Sequence, residues 1–547
     1  MHANNLSVRP WRRWHAMALA LTLVLLAGCE TIPKSLASLP LINKVSGPKP
    51  HPTAALAPAS ERTWPDAAQD VLNQRARSFG LVNSPDIKRY LDGLYGRIKT
   101  TAGVPDWPGG VHILANSGLQ AYATGAGNIY ISLPWFNSVQ SEDELVALLS
   151  HEFGHIYLHY HQLEGAVADA NTAVDFLALG VAVAKKTAQA TGWNEVDSLN
   201  TVYQLGRGLV TTLYSRSQES AADDFGLNIS LKMGYSYEHG MKAFLERQAS
   251  WEENNELREK EQQAKMLQLL RQQAMDNAVR QNPKANNAAS QSLVQSSGEL
   301  TGNINSALQQ LAFDMSKVAE KLRSDHPPIV ERIDALALNL EPYPDLQTEK
   351  DPVTKPLQKA LQDKRTATLL SNYALAFKAT ASPTDPKALE WARKSATGVT
   401  ATHAVPLFAL YTVLNAQPDV SGRKKVDPGQ VFEANFQSEP DRAWFAYQER
   451  SEKLKDSRQT AAAKKVMQMG LTYFQNAEEA WPQAIRFYGE IQGRDEAKRM
   501  AQSCSKNFKR VSARCTQAAA SPLELAEVDR KSKEKADQIA KKLFKTP

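Results

Sequence analysis

The chain has 547 residues, too many for one hydrophobic core, so two or three domains are expected. Apolar residues make up 42% and charged residues 22%, the balance of a folded protein rather than a disordered one. Three of the six net positive charges sit at Arg9, Arg12 and Arg13, and the rest, about +3, makes no electrostatic case for a nucleic-acid partner.

Those three arginines precede AMALALTLVLLAG, a 13-residue apolar run with the length of a signal-peptide core, too short to span a bilayer. It ends in Leu26-Ala27-Gly28-Cys29, which resembles a bacterial lipobox. That resemblance implies a signal peptide over 1–28, cleavage before Cys29, and acylation of Cys29 by enough chains to give a stable membrane anchor. Glu30 stands where an aspartate often retains such proteins in the inner membrane, which favours the periplasmic face of the outer membrane. The other two of the three cysteines, Cys504 and Cys515, are eleven residues apart; an oxidising compartment would pair them, the alternative being two free thiols on a helix.

Residues 29–66 read as a tether, with seven prolines and little apolar periodicity. The globular pattern starts near 67. VLNQRARSFGLV and IKRYLDGLYGRIKTTA read as amphipathic helices, and GVHILANSG and GNIYISLPW as two strands joined through a glycine-containing stretch. Ser141-Glu142-Asp143-Glu144 is a capping box that opens the next helix. AVDFLALGVAVA, 173–184, is too short to cross a membrane and reads as a core helix or one lying on a membrane surface. Residues 251–323 read as a polar helical insertion in a body of 67–345, either a lid or a passive surface excursion. From 356 to 547 helical signals follow one another with short polar breaks. They suggest an α-solenoid of tetratricopeptide (TPR-like) type without a clean 34-residue period. The fold class expected is mainly α with a small β-sheet: an α+β body followed by helical repeats.

The chemistry concentrates in HEFGH. Residues four apart on a helix share a face, so His151 and His155 can grip one metal ion, with Glu152 beside it to hold a water: the HExxH zincin pattern. His159 and His161 raise the alternative of a merely histidine-rich helix, but do not reproduce the placement of Glu152. A catalytic zinc needs a third protein ligand and an open position. Glu219 is the candidate ligand and Asp223, four residues on, the candidate partner for a histidine's second ring nitrogen; spacing alone is equally that of an acidic helix surface.

HExxH followed by Ser215, Arg216, Glu219, Ala222 and Asp223 in the pattern SRxxExxAD resembles the membrane-associated gluzincin family that includes HtpX and the CAAX prenyl proteases. His326-Pro327 with Arg332 six residues after the histidine adds a third matching motif. The lipobox and helical C-terminus look most like its exported, BepA-type branch. The family often has a histidine where this chain has Tyr160. The resemblance covers roughly 70–340 and implies one Zn²⁺ per chain on His151, His155 and Glu219, with Glu152 as general base. Arg332 would face the developing oxyanion or else form a salt bridge within its own helix. His326 would cap the fourth zinc position or pack before the prolines. GNIYIS would be the sheet edge to which an extended substrate adds. The function implied is a zinc endopeptidase acting on misfolded or unassembled envelope proteins, with the repeats docking partners such as outer-membrane assembly machinery. The rival reading is a non-enzymatic scaffold or chaperone lipoprotein, against which the intact Glu152 argues. A zinc-dependent cell-wall hydrolase is weaker, for want of any glycan-binding module.

Overall fold

The computed structural model describes residues 49–77, 79–159, 216–254, 328–348, 350–416 and 428–520. The expectations for Cys29, Tyr160, His161, Ser215, His326, the apolar stretch 173–184, the helix expected after 520 and all of the insertion beyond 254 lie outside them. Residues 52–547 form one compact unit, and the unit before it, 1–51, is almost wholly outside the described residues.

The fold is mainly helical with one three-stranded sheet. The helix Ala67–Arg75 starts four residues earlier than the apolar pattern suggests, because Asp66 caps it by accepting the N–H groups of Ala68 and Gln69. Pro85–Thr101 follows, with Ile87, Leu91, Leu94, Tyr95 and Ile98 on its buried face at helical spacing. The sheet order is β1 (Val111–Leu114), β3 (Ile129–Ser132), β2 (Ala121–Ala123), with β3 parallel to β1 and antiparallel to β2.

This order corrects two expectations. A third strand, AYA, was missed: three residues are too few to show an alternating pattern. And GNIYIS is no edge. It supplies the central strand, buried at all four positions and paired on both sides. The outer side of β1 is met by the chain at Gly80–Val82, through Val82 N–H to Ile113 O (2.8 Å) and Ala115 N–H to Gly80 O (3.4 Å). β2 is the outer strand on the other side of β3.

The tether is also not free throughout: residues 54–64 lie against the body, where Trp64 packs edge-on to Trp107. Beyond the sheet, residues 142–159 form the helix that carries HEFGH, and Arg216–Lys232 the helix that carries Glu219. A π-turn, Glu238–Lys242, leads into helix 243–254, and Ile329–Leu340 closes the body.

One apolar core runs from Val82 through Tyr95, Trp135, Phe153, Phe225 and Phe244 on to Tyr373, Ala392 and Val413. The helices Lys364–Ala381, Ala388–Ser395 and Ala404–Ala416 therefore continue the same core. Smaller clusters hold the rest. Trp444, Tyr447, Met467 and Phe487 surround one of them, and Ile485, Ala497, Cys504, Val511 and Cys515 another. Cys504 and Cys515 are disulfide-bonded, their Cα atoms 6.2 Å apart. No helix of the described residues is long and apolar enough to cross a membrane.

Candidate metal centre

The HEFGH helix is fixed at its start by three consecutive buried acids. Glu142 accepts the hydroxyls of Tyr235 (2.5 Å) and Tyr90 (2.8 Å) and pairs with Arg97 (3.3 Å). Asp143 accepts the backbone N–H of Ser236 (2.9 Å) and, from the chain leading to the C-terminal helices, of Val353 (2.8 Å). Glu144 holds Arg247 through two nitrogens. The capping box forms with one shift: Ser141 Oγ accepts the Glu144 N–H (3.2 Å), while the Glu144 carboxylate reaches Gln140 N–H (3.1 Å) instead of that of Ser141. Acids in a first turn also complement the helix dipole. Their partners come from four separate segments, so the helix can neither rotate nor slide without breaking buried bonds.

Two glycines set how closely the Glu219 helix approaches. A Cβ at Gly154 would stand 3.1 Å from Ala222 Cα, and one at Gly226 would stand 3.1 Å from His151 N and 3.2 Å from His151 Cα. Each is tighter than ordinary van der Waals contact, so a larger residue at either position requires the facing helix to give by a few tenths of an ångström. Glycine is unfavourable inside a helix by roughly 0.5–1 kcal/mol relative to alanine, and here the close approach supplies its reason.

The close approach brings His151, His155 and Glu219 together, all buried, with ligand atoms within 4.8 Å of one another. The two Nε2 atoms are 3.3 Å apart; Glu219 Oε2 is 3.6 Å from His151 Nε2 and Oε1 is 3.7 Å from His155 Nε2. Metal–nitrogen bonds of about 2.0–2.1 Å at tetrahedral angles place donor atoms about 3.3–3.4 Å apart. The trio fits that spacing to within a few tenths of an ångström, and two imidazoles with a carboxylate are a donor set that suits zinc.

Asp223 lies one turn beyond Glu219. Its Oδ1 is 2.9 Å from His151 Nδ1, which makes Nδ1 the protonated nitrogen and leaves Nε2 as the lone-pair nitrogen facing His155 and Glu219. Arg332 explains how two buried carboxylates one turn apart are tolerated. Its Nε and Nη2 donate to the two oxygens of Asp223, 2.7 Å each, and its Nη1 is 3.1 Å from Glu219 Oε2. Its partners are thus on the Glu219 helix and not on its own. Such a fork is specific to arginine.

The electrostatics follow. Burial alone would raise Asp223, but the Arg332 guanidinium and then His151 outweigh it and hold the carboxyl at about 2. Burial opposes a charged His151, yet its hydrogen bond to Asp223, with the charges of Asp223 and Glu219, raises it above the ordinary imidazole value. Burial raises Glu152 to about 7, against the lowering effect of His151, and its Oε2 is buried without a hydrogen-bond partner. A carboxylate of that kind can exchange a proton near neutral pH.

Residues 85–339 match the model of peptidase family M48. The match supports an M48 metallopeptidase, a family that is zinc-dependent, and it spans the HEFGH helix, the Glu219 helix and the helix of Arg332. No curated protein matches the chain.

The structure therefore brings together Glu152, His151, His155, Glu219, Asp223 and Arg332 of the residues named from sequence. His159 lies a further turn along, its ring centroid 6.5 Å from that of His155 and outside the trio. Sequence reasoning missed Gly154, Gly226 and the sockets of Glu142, Asp143 and Glu144. The glycines carried a signal, since each interrupts an otherwise well-formed helix beside a candidate ligand. The sockets carried none, because their partners lie up to 210 residues away.

Proposed function

We propose that the M48-like body is a zinc-dependent endopeptidase. The observation that carries this reading is the convergence of three buried donors at near-tetrahedral spacing, with the Glu152 carboxylate adjacent and its Oε2 unengaged. A zinc ion held by His151, His155 and Glu219 would supply Lewis acidity toward a water and the scissile carbonyl. Glu152 would take the proton of the attacking water on Oε2 and return it to the departing amine. Asp223 keeps His151 in the tautomer that binds. We assign Arg332 to positioning Glu219 and Asp223 rather than to the oxyanion, since all three of its nitrogens are directed at those carboxylates. An extended substrate would bind as an added strand, where backbone hydrogen bonds read shape more than sequence, which suits unfolded chains.

The envelope setting belongs to the same proposal. Anchored by a lipidated Cys29 at the periplasmic face of the outer membrane, the protein would act on misfolded or unassembled envelope proteins. Its C-terminal helices would dock partners such as outer-membrane assembly machinery. The disulfide of two fully buried cysteines, Cys504 and Cys515, is in keeping with an oxidising compartment.

The test is zinc content together with casein cleavage, for wild type and Glu152→Gln. Bound zinc in both, with cleavage lost by a factor of at least about 100 in the variant, supports the reading. Zinc without cleavage in either would favour a scaffold lipoprotein. Trapping on the Glu152→Gln protein in the envelope would then identify substrates.

A further inference from the structure

The segment ahead of the first helix touches both helices that carry metal ligands. Ala54 O accepts the Nδ2 hydrogen of Asn228, on the Glu219 helix, at 3.0 Å. Ala57 O accepts the hydroxyl of Tyr157, on the HEFGH helix, at 3.0 Å. Arg62 then turns back onto the HEFGH helix and donates from Nη1 to Ile156 O (2.7 Å) and from Nη2 to Tyr157 O (3.1 Å). Its guanidinium is held in place by aromatic faces, 3.8 Å from the ring centroid of Trp107 and 5.2 Å from that of Trp64. Trp107 in turn packs on Tyr157 and Phe153 (5.4 and 5.8 Å), and Tyr157 packs on Phe225 of the Glu219 helix (5.0 Å).

These contacts have a common geometry. Gly154 and Gly226 let the two helices approach but do not hold them there. The strap bonds to one helix at Asn228 and to the other at Ile156 and Tyr157, next to His155 in sequence. Pro58 restricts the unfolded strap and so reduces the conformational entropy lost on docking, and a guanidinium that bridges two carbonyls fixes a helix both along and around its axis.

We propose that residues 54–64 act as a strap holding the two ligand-bearing helices in register, with Arg62 as its positioning residue, so that zinc affinity depends on the segment N-terminal to the body. This rests on the metal-site reading above. It adds that the stretch leading back toward the proposed anchor at Cys29 is continuous with the metal centre.

The test uses the full chain and zinc alone. Dissociation constants are measured by competition with a chelator for wild type, Arg62→Ala, Asn228→Ala, the double variant and the milder Arg62→Lys, which keeps a cation over Trp107 but cannot bridge both carbonyls. Circular dichroism of the zinc-free proteins reports the fold. The expected result is zinc affinity weaker by on the order of 10-fold in each alanine variant. The double variant should fall short of the product of the two, since both release the same strap. Arg62→Lys should lie between wild type and Arg62→Ala. A Glu219→Ala control tests the metal site itself: if it loses zinc while both single alanine variants stay within about twofold of wild type with their fold intact, the strap is overturned and the site stands. A wild type that binds no zinc overturns both.

Discussion

At the scale of single residues, Asp223 does two jobs at once: it orients the His151 ring and anchors the Arg332 guanidinium. Asp223→Asn should weaken zinc binding by roughly 10–100-fold, read by chelator competition, because the imidazole loses its orienting charge. It should also lower the unfolding free energy by about 3–5 kcal/mol, because the buried Arg332 loses the carboxylate that takes two of its nitrogens and keeps only the weaker opposition of Glu219 and Glu252. A second residue-scale test concerns His112, stacked on Tyr130 beside Asn128. Burial, and then the nearby Lys88, depress it to about 4. Folding therefore favours the neutral ring, and the unfolded chain binds the extra proton once pH falls below about 6.5. Stability should be unaffected above that value and should decline as pH falls toward 4, by on the order of 2–3 kcal/mol from this group. Urea midpoints at pH 7.5 and 4.5 should differ less in His112→Gln than in wild type.

At the scale of elements, the decisive contact is between the HEFGH helix and Arg216–Lys232. The helical spacing of His151 and His155 was legible because a single helix sets it. Spacing alone left Glu219 equally an acid on a helix surface, and it was singled out by the SRxxExxAD resemblance; its role depends on two helices meeting, and Gly154 and Gly226 make that meeting possible. Gly226→Ala would improve intrinsic helix propensity, yet it places a methyl 3.1 Å from the His151 backbone. It should therefore weaken zinc affinity at least about tenfold without loss of helical circular dichroism, and retained affinity would mean that the helices can shift and still bind. The sheet teaches the same lesson. GNIYIS was readable as a strand from its β-forming residues, but not its central place, because strand order is fixed by pairing partners outside the segment.

At the scale of the whole molecule, the boundary read near 345–356 does not interrupt the core, which continues from the sheet and metal helices to Val413. The chain at Val353 is bonded into the start of the HEFGH helix through its N–H to Asp143 and its carbonyl from Glu142 N–H (2.7 Å). The helix Ala67–Arg75 ties the sheet to the far helices. Asp70 accepts Thr124, Asn128 and Tyr130 on one side, while Asn73 bonds Glu478 and Arg75 reaches Tyr473 on the other. The Cys504–Cys515 cross-link closes a short loop between Arg494–Asn507 and Ser512–Ala519. Replacing both cysteines by serine should cost about 3 kcal/mol, measured by denaturant unfolding of whichever transition reports the C-terminal helices, and should leave zinc affinity unchanged.

The sequence by itself determined the local elements that repeat a period, the ligand pair on one helix turn and the carboxylate beside it, because each is set within a few residues of chain, whereas it left the last two cysteines either paired or free. Only the tertiary structure decided the centrality of β3, the partners of Arg332, the strap over the metal helices and the continuity of the core. Those features are contacts between segments tens to hundreds of residues apart, and a local pattern of side chains holds no information about which distant surface will bury it.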